Sequence, residues 1–291
     1  MVCRHCSSGG VFMIDISESI EACANHYGEQ ADAMRSYLLD GQAAALTLHN
    51  RGPLRFTESG ALAEEIRAAY SEYGFYIFEN VLSAEELDDI KADLEMMRAQ
   101  FPTGPESKVN AEGEPALGAD AKALTLVWSK PLGDPLGGTA LANGRHQVKM
   151  FEPEADAEAP LAAPFILLGS LQFSDACLRT YAHPELLQVA AAINGPDFAP
   201  FNEALFIKDP GIGAAVSWHQ DGVTHWDSPE FDEDIHGFNF MAQVYGSTAV
   251  NGVWVLPGTH KQGKLDIAEL VEESGDRKST RLNSSHVRTS R

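Results

Sequence analysis

The sequence predicts an α+β, mostly β domain, with helices first and a mostly antiparallel sheet after them. Two patterns carry this. Apolar residues recur at helical spacing as far as Met97, and short alternating or continuous apolar runs dominate from Glu203 onward. Ile16, Ile20, Cys23 and Tyr27 mark a weak first helix ending near Gly28, and Leu62, Ile66, Ala69, Tyr70 and Tyr73 mark a second that Gly74 closes. FYIFENV (75–81) is a short strand candidate. Ser83, followed three residues later by Glu86, is a capping box opening a helix whose inner face is Leu87, Ile90, Leu94 and Met97. From Pro102 to Pro164 the chain is rich in Pro, Gly and Ala, with strand-like pieces at 124–128 and 145–151, a pattern expected of functional loops over a scaffold. Pro184 at a first helical position, apolar Leu186, Leu187, Ala190 and Ile193, and then Gly195 bound another helix. Strand candidates follow at 203–208, 215–221, 238–246 and 253–257, with Asn251-Gly252 as a turn between the last two.

The chain has 291 residues, 44% hydrophobic and 22% charged, which suits a globular protein with a sizeable core. Its 21 basic against 42 acidic residues give a net charge of −21, arguing against nucleic acid or an anionic membrane as partner. No apolar run approaches a membrane span and no signal-peptide core opens the chain, so a cytoplasmic location is expected. Cys3, Cys6, Cys23 and Cys177 are too few for a disulfide framework, and the lone Cys3/Cys6 CxxC has no second pair to complete a zinc site.

Residues 276–291, DRKSTRLNSSHVRTSR, differ from the rest: they hold five of the 21 basic residues and one of the 42 acids, leaving the first 275 residues at −25. They read either as a basic tail or, preferred here, as a non-native segment resembling the in-frame translation of a sequencing-adapter oligonucleotide. The expected organisation is an N-terminal helical extension (1–56), a main domain (57–275) that the natural chain continues, and the tail.

The informative segment is Trp218-His219-Gln220-Asp221-Gly222. On a strand His219 and Asp221 project together, and Trp218 and Gln220 face the other way. An imidazole and a carboxylate on one face supply two of the three ligands of a 2-His-1-carboxylate triad for non-haem Fe(II). Alone, the pattern equally fits a His–Asp hydrogen bond in a half-buried sheet. Gly-rich LGDPLGGT (132–139) lacks the Lys-Ser/Thr of a P-loop, and no Ser or Cys has a nucleophile elbow around it. Trp218, Phe240 and Trp254 suit sheet packing; His225, Trp226 and His236 flank an acidic stretch (227–237) that reads as a solvated loop or a cover over substrate.

HPELLQVAAAINGPD (183–197), LFIKDPG (205–211), WHQD (218–221) and NGVWVLPGTHKQG (251–263), in this order and spacing, resemble the phytanoyl-CoA dioxygenase family of Fe(II)/2-oxoglutarate oxygenases. GFYIFENVLSAEEL (74–87) is similar to the family's opening strand and helix, and the resemblance spans roughly residues 70–271. It implies a double-stranded β-helix (a cupin-like jelly roll) flanked by helices and incomplete at the C-terminus. It also implies His219 and Asp221 as iron ligands, Lys208 as a 2-oxoglutarate contact (otherwise a solvated lysine at a strand end), and Asn202 as a substrate-facing amide. The family's distal iron-binding His and the Arg that pairs with 2-oxoglutarate do not appear before Gly275. His260, in PGTH, matches a turn histidine of the family and not a ligand, and His286 lies in the tail.

The resemblance therefore implies an enzyme that uses Fe(II), 2-oxoglutarate and O2 to hydroxylate a small molecule, with the given chain inactive for want of its third ligand. Related halogenases lack the carboxylate, so Asp221 favours hydroxylation. The acidic balance favours a small or cationic substrate over an acyl-CoA. The alternative is a non-catalytic jelly-roll binding protein that keeps part of a metal site.

Overall fold

The computed structural model describes residues 15–221 and 237–273. The Cys3/Cys6 pair, residues 222–236 with His225, Trp226 and His236, and the segment 276–291 with His286 lie outside the described residues. Two helices open the described chain, α1 (Ser17–Asn25) and α2 (Ala31–Thr47). Ile16, Ile20 and Tyr27 of the predicted stripe are buried against Met34 and Leu38, with Ala24 in the core and the expected Cys23 only partly buried beside it. Gly41, inside α2, lets the Trp254 ring lie flush on the helix, where a Cβ would overlap it. Tyr37 stacks on the same ring at 4.4 Å between centroids.

Strand β1 (Arg51–Pro53) pairs in parallel with β2 (Ile77–Glu79), so the end of the 1–56 segment forms a ladder with residues after it. Between them runs α3 (Glu64–Tyr73), closed by Gly74 in the left-handed region at φ 84°. The turn at 258–260 docks on that closure: Gly258 N–H donates to the Tyr73 carbonyl at 3.0 Å and His260 Nε2–H to the Ser71 carbonyl at 2.9 Å. Helix α4 (Ala84–Ala99) has the predicted capping box, with Ser83 Oγ accepting from Glu86 N–H and the Glu86 carboxylate accepting from Ser83 N–H.

The central sheet is antiparallel, in the order β3 (Leu126–Ser129), β4 (Ala163–Leu168), β5 (Ala204–Phe206). Its register shifts between Val127 and Trp128, opposite Pro164, which has no N–H to give a regular ladder. Met97 and Leu94 of α4, and Cys177 of α5 (Asp175–Tyr181), pack with Leu126 and Leu167. Phe165, Ile166 and Phe206 instead pack against Ala214 and Val216. That second cluster sets the segment carrying His219 against the sheet. Helix α6 (Pro184–Asn194) has Pro184 at its start and Gly195 at its end, and packs Val189 on Leu62 and Ile66 of α3. The last described element is α7 (Ile267–Glu273).

The expected jelly roll is not formed among the described residues. The candidates at 145–151, 215–221, 238–246 and 253–257 carry no ladder, whereas 75–81, 124–128 and 203–208 each contain strand. Side-chain amides occupy the bonds that neighbouring strands would make. Gln220 donates to the Gly263 carbonyl and accepts from Leu265 N–H, and Gln147 donates to the Leu265 carbonyl and accepts from Ile267 and Ala268 N–H. An amide side chain presents the same donor and acceptor as a peptide group, so these bonds satisfy the backbone at 263–268 without a sheet. Phe240 also departs from expectation: it is exposed and meets Phe238 edge-on at 5.2 Å.

Two predictions follow from this packing. A Cβ on Gly74 would lie 2.4 Å from His260 Nδ1, whereas one on Gly28, also at positive φ, would meet nothing within 4 Å. Gly74→Ala is expected to destabilise by at least about 2 kcal/mol and Gly28→Ala by about 1 kcal/mol, compared by denaturant midpoints; equal losses would remove the His260 contact as the cause. Glu152 is pushed up by burial but pulled further down, to about 2, by the Asp134 N–H, Lys130 and Lys149. Its folded value lies below its ordinary one, so its stabilisation is full above about pH 4.5 and disappears as pH falls toward 2. Glu152→Gln should flatten the acid limb of the stability curve by on the order of 1–2 kcal/mol, and an unchanged limb would count against the ion pairs.

Candidate metal site

Alternation along 217–221 survives the loss of the ladder. Trp218 packs with Val148, Met150, Ala215 and Ile267, and Gln220 turns to Gly263 and Leu265. Ser217, His219 and Asp221 turn the other way, toward Arg145 and His146. His219 and Asp221 are both buried, with 1% and 7% of their surface exposed. His219 Nε2 stands 3.3 Å from Asp221 Oδ1. Its Nδ1 lies 2.9 Å from the Ser217 carbonyl, which only accepts, so Nδ1 carries the proton. Nε2 then presents a lone pair on the Asp221 side, the arrangement a metal-ligating imidazole needs.

Two further residues hold the carboxylate. Arg145 Nη1 donates to Asp221 Oδ1 at 3.2 Å and Asn239 Nδ2 to Oδ2 at 2.8 Å. Behind His219 lies His146, fully buried, its ring centroid 4.2 Å from that of His219. Burial first, then the neighbouring His219 and Arg145, bring its pKa down to about 3, so it is neutral at physiological pH.

Lys208 follows β5 and is half-buried. Burial lowers its pKa to about 8 against the opposing pull of Asp134. Among the described residues no hydrogen bond or ion pair engages its ammonium, unlike Arg98, which grips the adjacent Asp209 with two bonds. Asn202 is placed apart. It lines an open groove of about 450 Å³ with Tyr181, Phe201 and Glu203, and neither His219, Asp221 nor Lys208 lines that groove. His260 is committed to the Ser71 carbonyl, as expected of a turn histidine.

Among the described residues no three His, Cys, Asp or Glu side chains are gathered to hold a metal ion. His219 and Asp221 fit two donors of such a site: one neutral nitrogen and one carboxylate, both buried and converging. Arg145, His146, Ser217 and Asn239 are members of the site that pattern reasoning passed over. No local signal marked His146: Val148 and Met150, two and four residues on, pack with Trp218 on the other side of the segment.

The phytanoyl-CoA dioxygenase (PhyH) family model matches residues 70–287, which extends through the whole site and past residue 271. No curated protein and no solved structure matches the chain. With a match over most of its length, and with the HxD pair buried and converging, the chain belongs to the phytanoyl-CoA dioxygenase family.

Proposed function

We propose that this chain is an Fe(II)- and 2-oxoglutarate-dependent dioxygenase that hydroxylates a small molecule. Family membership supports iron and 2-oxoglutarate oxygenase chemistry in general. The observation that carries the reading at the level of residues is the approach of His219 Nε2 to Asp221 Oδ1 at 3.3 Å. Two adjacent donors of an octahedral ion stand about 3 Å apart when each bond is about 2.1 Å. Iron bound with 2-oxoglutarate and O2 supplies an oxidative decarboxylation to succinate and CO2, coupled to hydroxylation of a substrate C–H bond.

The protein's part is to place and insulate the donors. Ser217 fixes the His219 tautomer, and Arg145 and Asn239 hold one oxygen each of Asp221, so both donors already face one another before an ion arrives. The buried His146 and Trp218 on either side of this segment exclude water. Asp221 keeps the carboxylate that halogenating relatives lack, which supports hydroxylation. Lys208, a cation without a partner among the described residues, suits a carboxylate of 2-oxoglutarate. The acidic chain, at −21, favours a small or cationic substrate. Asn202 as a substrate contact has support only from the groove it lines.

A second reading, a non-catalytic binding protein with a partial metal site, is favoured by the lack of three gathered ligands among the described residues. Iron-dependent conversion of 2-oxoglutarate to succinate separates the two. In the full-length protein the dioxygenase reading expects turnover that Asp221→Ala reduces to background; undiminished turnover in that variant would refute the ligand role, and no turnover in the full-length parent favours the binding protein. Lys208→Ala is expected to raise the KM for 2-oxoglutarate about tenfold or more, the worth of one charge-assisted bond. An unchanged KM would take Lys208 out of the site.

A further inference from the structure

We propose that His146 is a positioning residue of the metal site, acting through His219; this rests on the reading of His219 and Asp221 as iron ligands. His146 and His219 set their Nδ1 atoms against one acceptor, the Ser217 carbonyl, at 3.3 and 2.9 Å. A carbonyl oxygen has two lone pairs and accommodates two donors. Ser217 Oγ stands a further 3.2 Å from His146 Nδ1, so a proton on that nitrogen faces two oxygens.

The other tautomer would put the proton on His146 Nε2, which is buried and has no hydrogen-bond partner among the described residues. A buried N–H without an acceptor is the costlier of the two orphans, so Nδ1 holds the proton and Nε2 a lone pair. Both histidines therefore share one tautomer, set by one oxygen.

Contact between the rings completes the arrangement. At 4.2 Å between centroids and 41° between planes, His146 occupies the space into which the His219 ring would turn. His219 is held at its Nδ1 edge by Ser217 and on one face by His146, leaving Nε2 directed at Asp221. An apolar residue would fill the same volume but would not anchor itself on the Ser217 carbonyl.

Asparagine and glutamine separate these roles, because the Asn amide replaces the Nδ1 donor and the Gln amide reaches the Nε2 position instead. The probe is Co(II), titrated into the metal-free chain and followed by its visible absorption, alongside the thermal melt without metal. His146→Asn is expected to bind Co(II) at least tenfold more tightly than His146→Gln, with a band closer to the parent's, while the two metal-free variants melt together. Equal Co(II) affinities and identical bands in the two variants would overturn the proposal. Asp221→Ala separates the two levels of inference. If it leaves Co(II) binding unchanged, the metal-site reading itself fails; if it abolishes binding while the two His146 variants are equal, only the role of His146 fails.

Discussion

A buried backbone must find partners for its N–H and C=O groups, and residues 214–221 are buried throughout without a β-ladder to supply them. Each solution found there shapes the site. Ala215 N–H goes to the Gly133 carbonyl at 2.7 Å. The Ser217 carbonyl is met by two imidazoles, and Gln220 reaches across to Gly263 and Leu265. In a regular sheet the Ser217 oxygen would be spent on a neighbouring strand and could not fix two histidine tautomers. The missing ladder and the organised imidazoles are thus one fact seen from two sides.

Trp254 ties this layer to the N-terminal helices. It packs both with the cluster of Ile20, Met34 and Leu38 and with that of Met150, Ala215 and Trp218, and its Nε1–H is satisfied by the Ala249 carbonyl at 3.0 Å. A fully buried aromatic removes roughly 150–250 Å² from water, and the partly buried Trp254 ring contributes a share of that to both clusters at once. Gly41 bears a helix-interior penalty of about 1 kcal/mol to allow it. The segment 16–47 therefore acts as part of the wall behind Trp218, although its sequence signals suggested only weak helices.

Signals that close on themselves within a few residues were legible. The Ser83–Glu86 box, the Gly74 closure and the Pro184 start all depend on neighbours inside one turn, and each stands where the sequence placed it. The HxD pair was legible for the same reason, because alternation depends only on extended backbone. Strands were legible only in part: 75–81, 124–128 and 203–208 contain one and four other candidates do not, since a ladder needs a partner that no local pattern names. The central strand β4 was passed over: APFILL is continuously apolar, with Pro164 inside it, and gives no alternation to read. Residues 145–151 erred the other way, alternating well but finding no strand to pair with. His146 and Asn239 reach the site from 73 residues before His219 and 20 after it, and nothing local marks such a meeting.

On the dioxygenase reading proposed above, a net charge of −21 has to be reconciled with a doubly anionic co-substrate. Distance and dielectric resolve this. Charges spread over the surface act through water and salt, which damp them beyond a Debye length of about 8 Å. On that reading Lys208 would meet the co-substrate at contact range from a partly dehydrated place, where a unit charge interacts several times more strongly. Arg145 is already engaged by Asp221, an arrangement that a cation binding to the carboxylate would weaken, since both compete for Oδ1. On that reading the acidic exterior would affect how fast an anion arrives more than how well it is held.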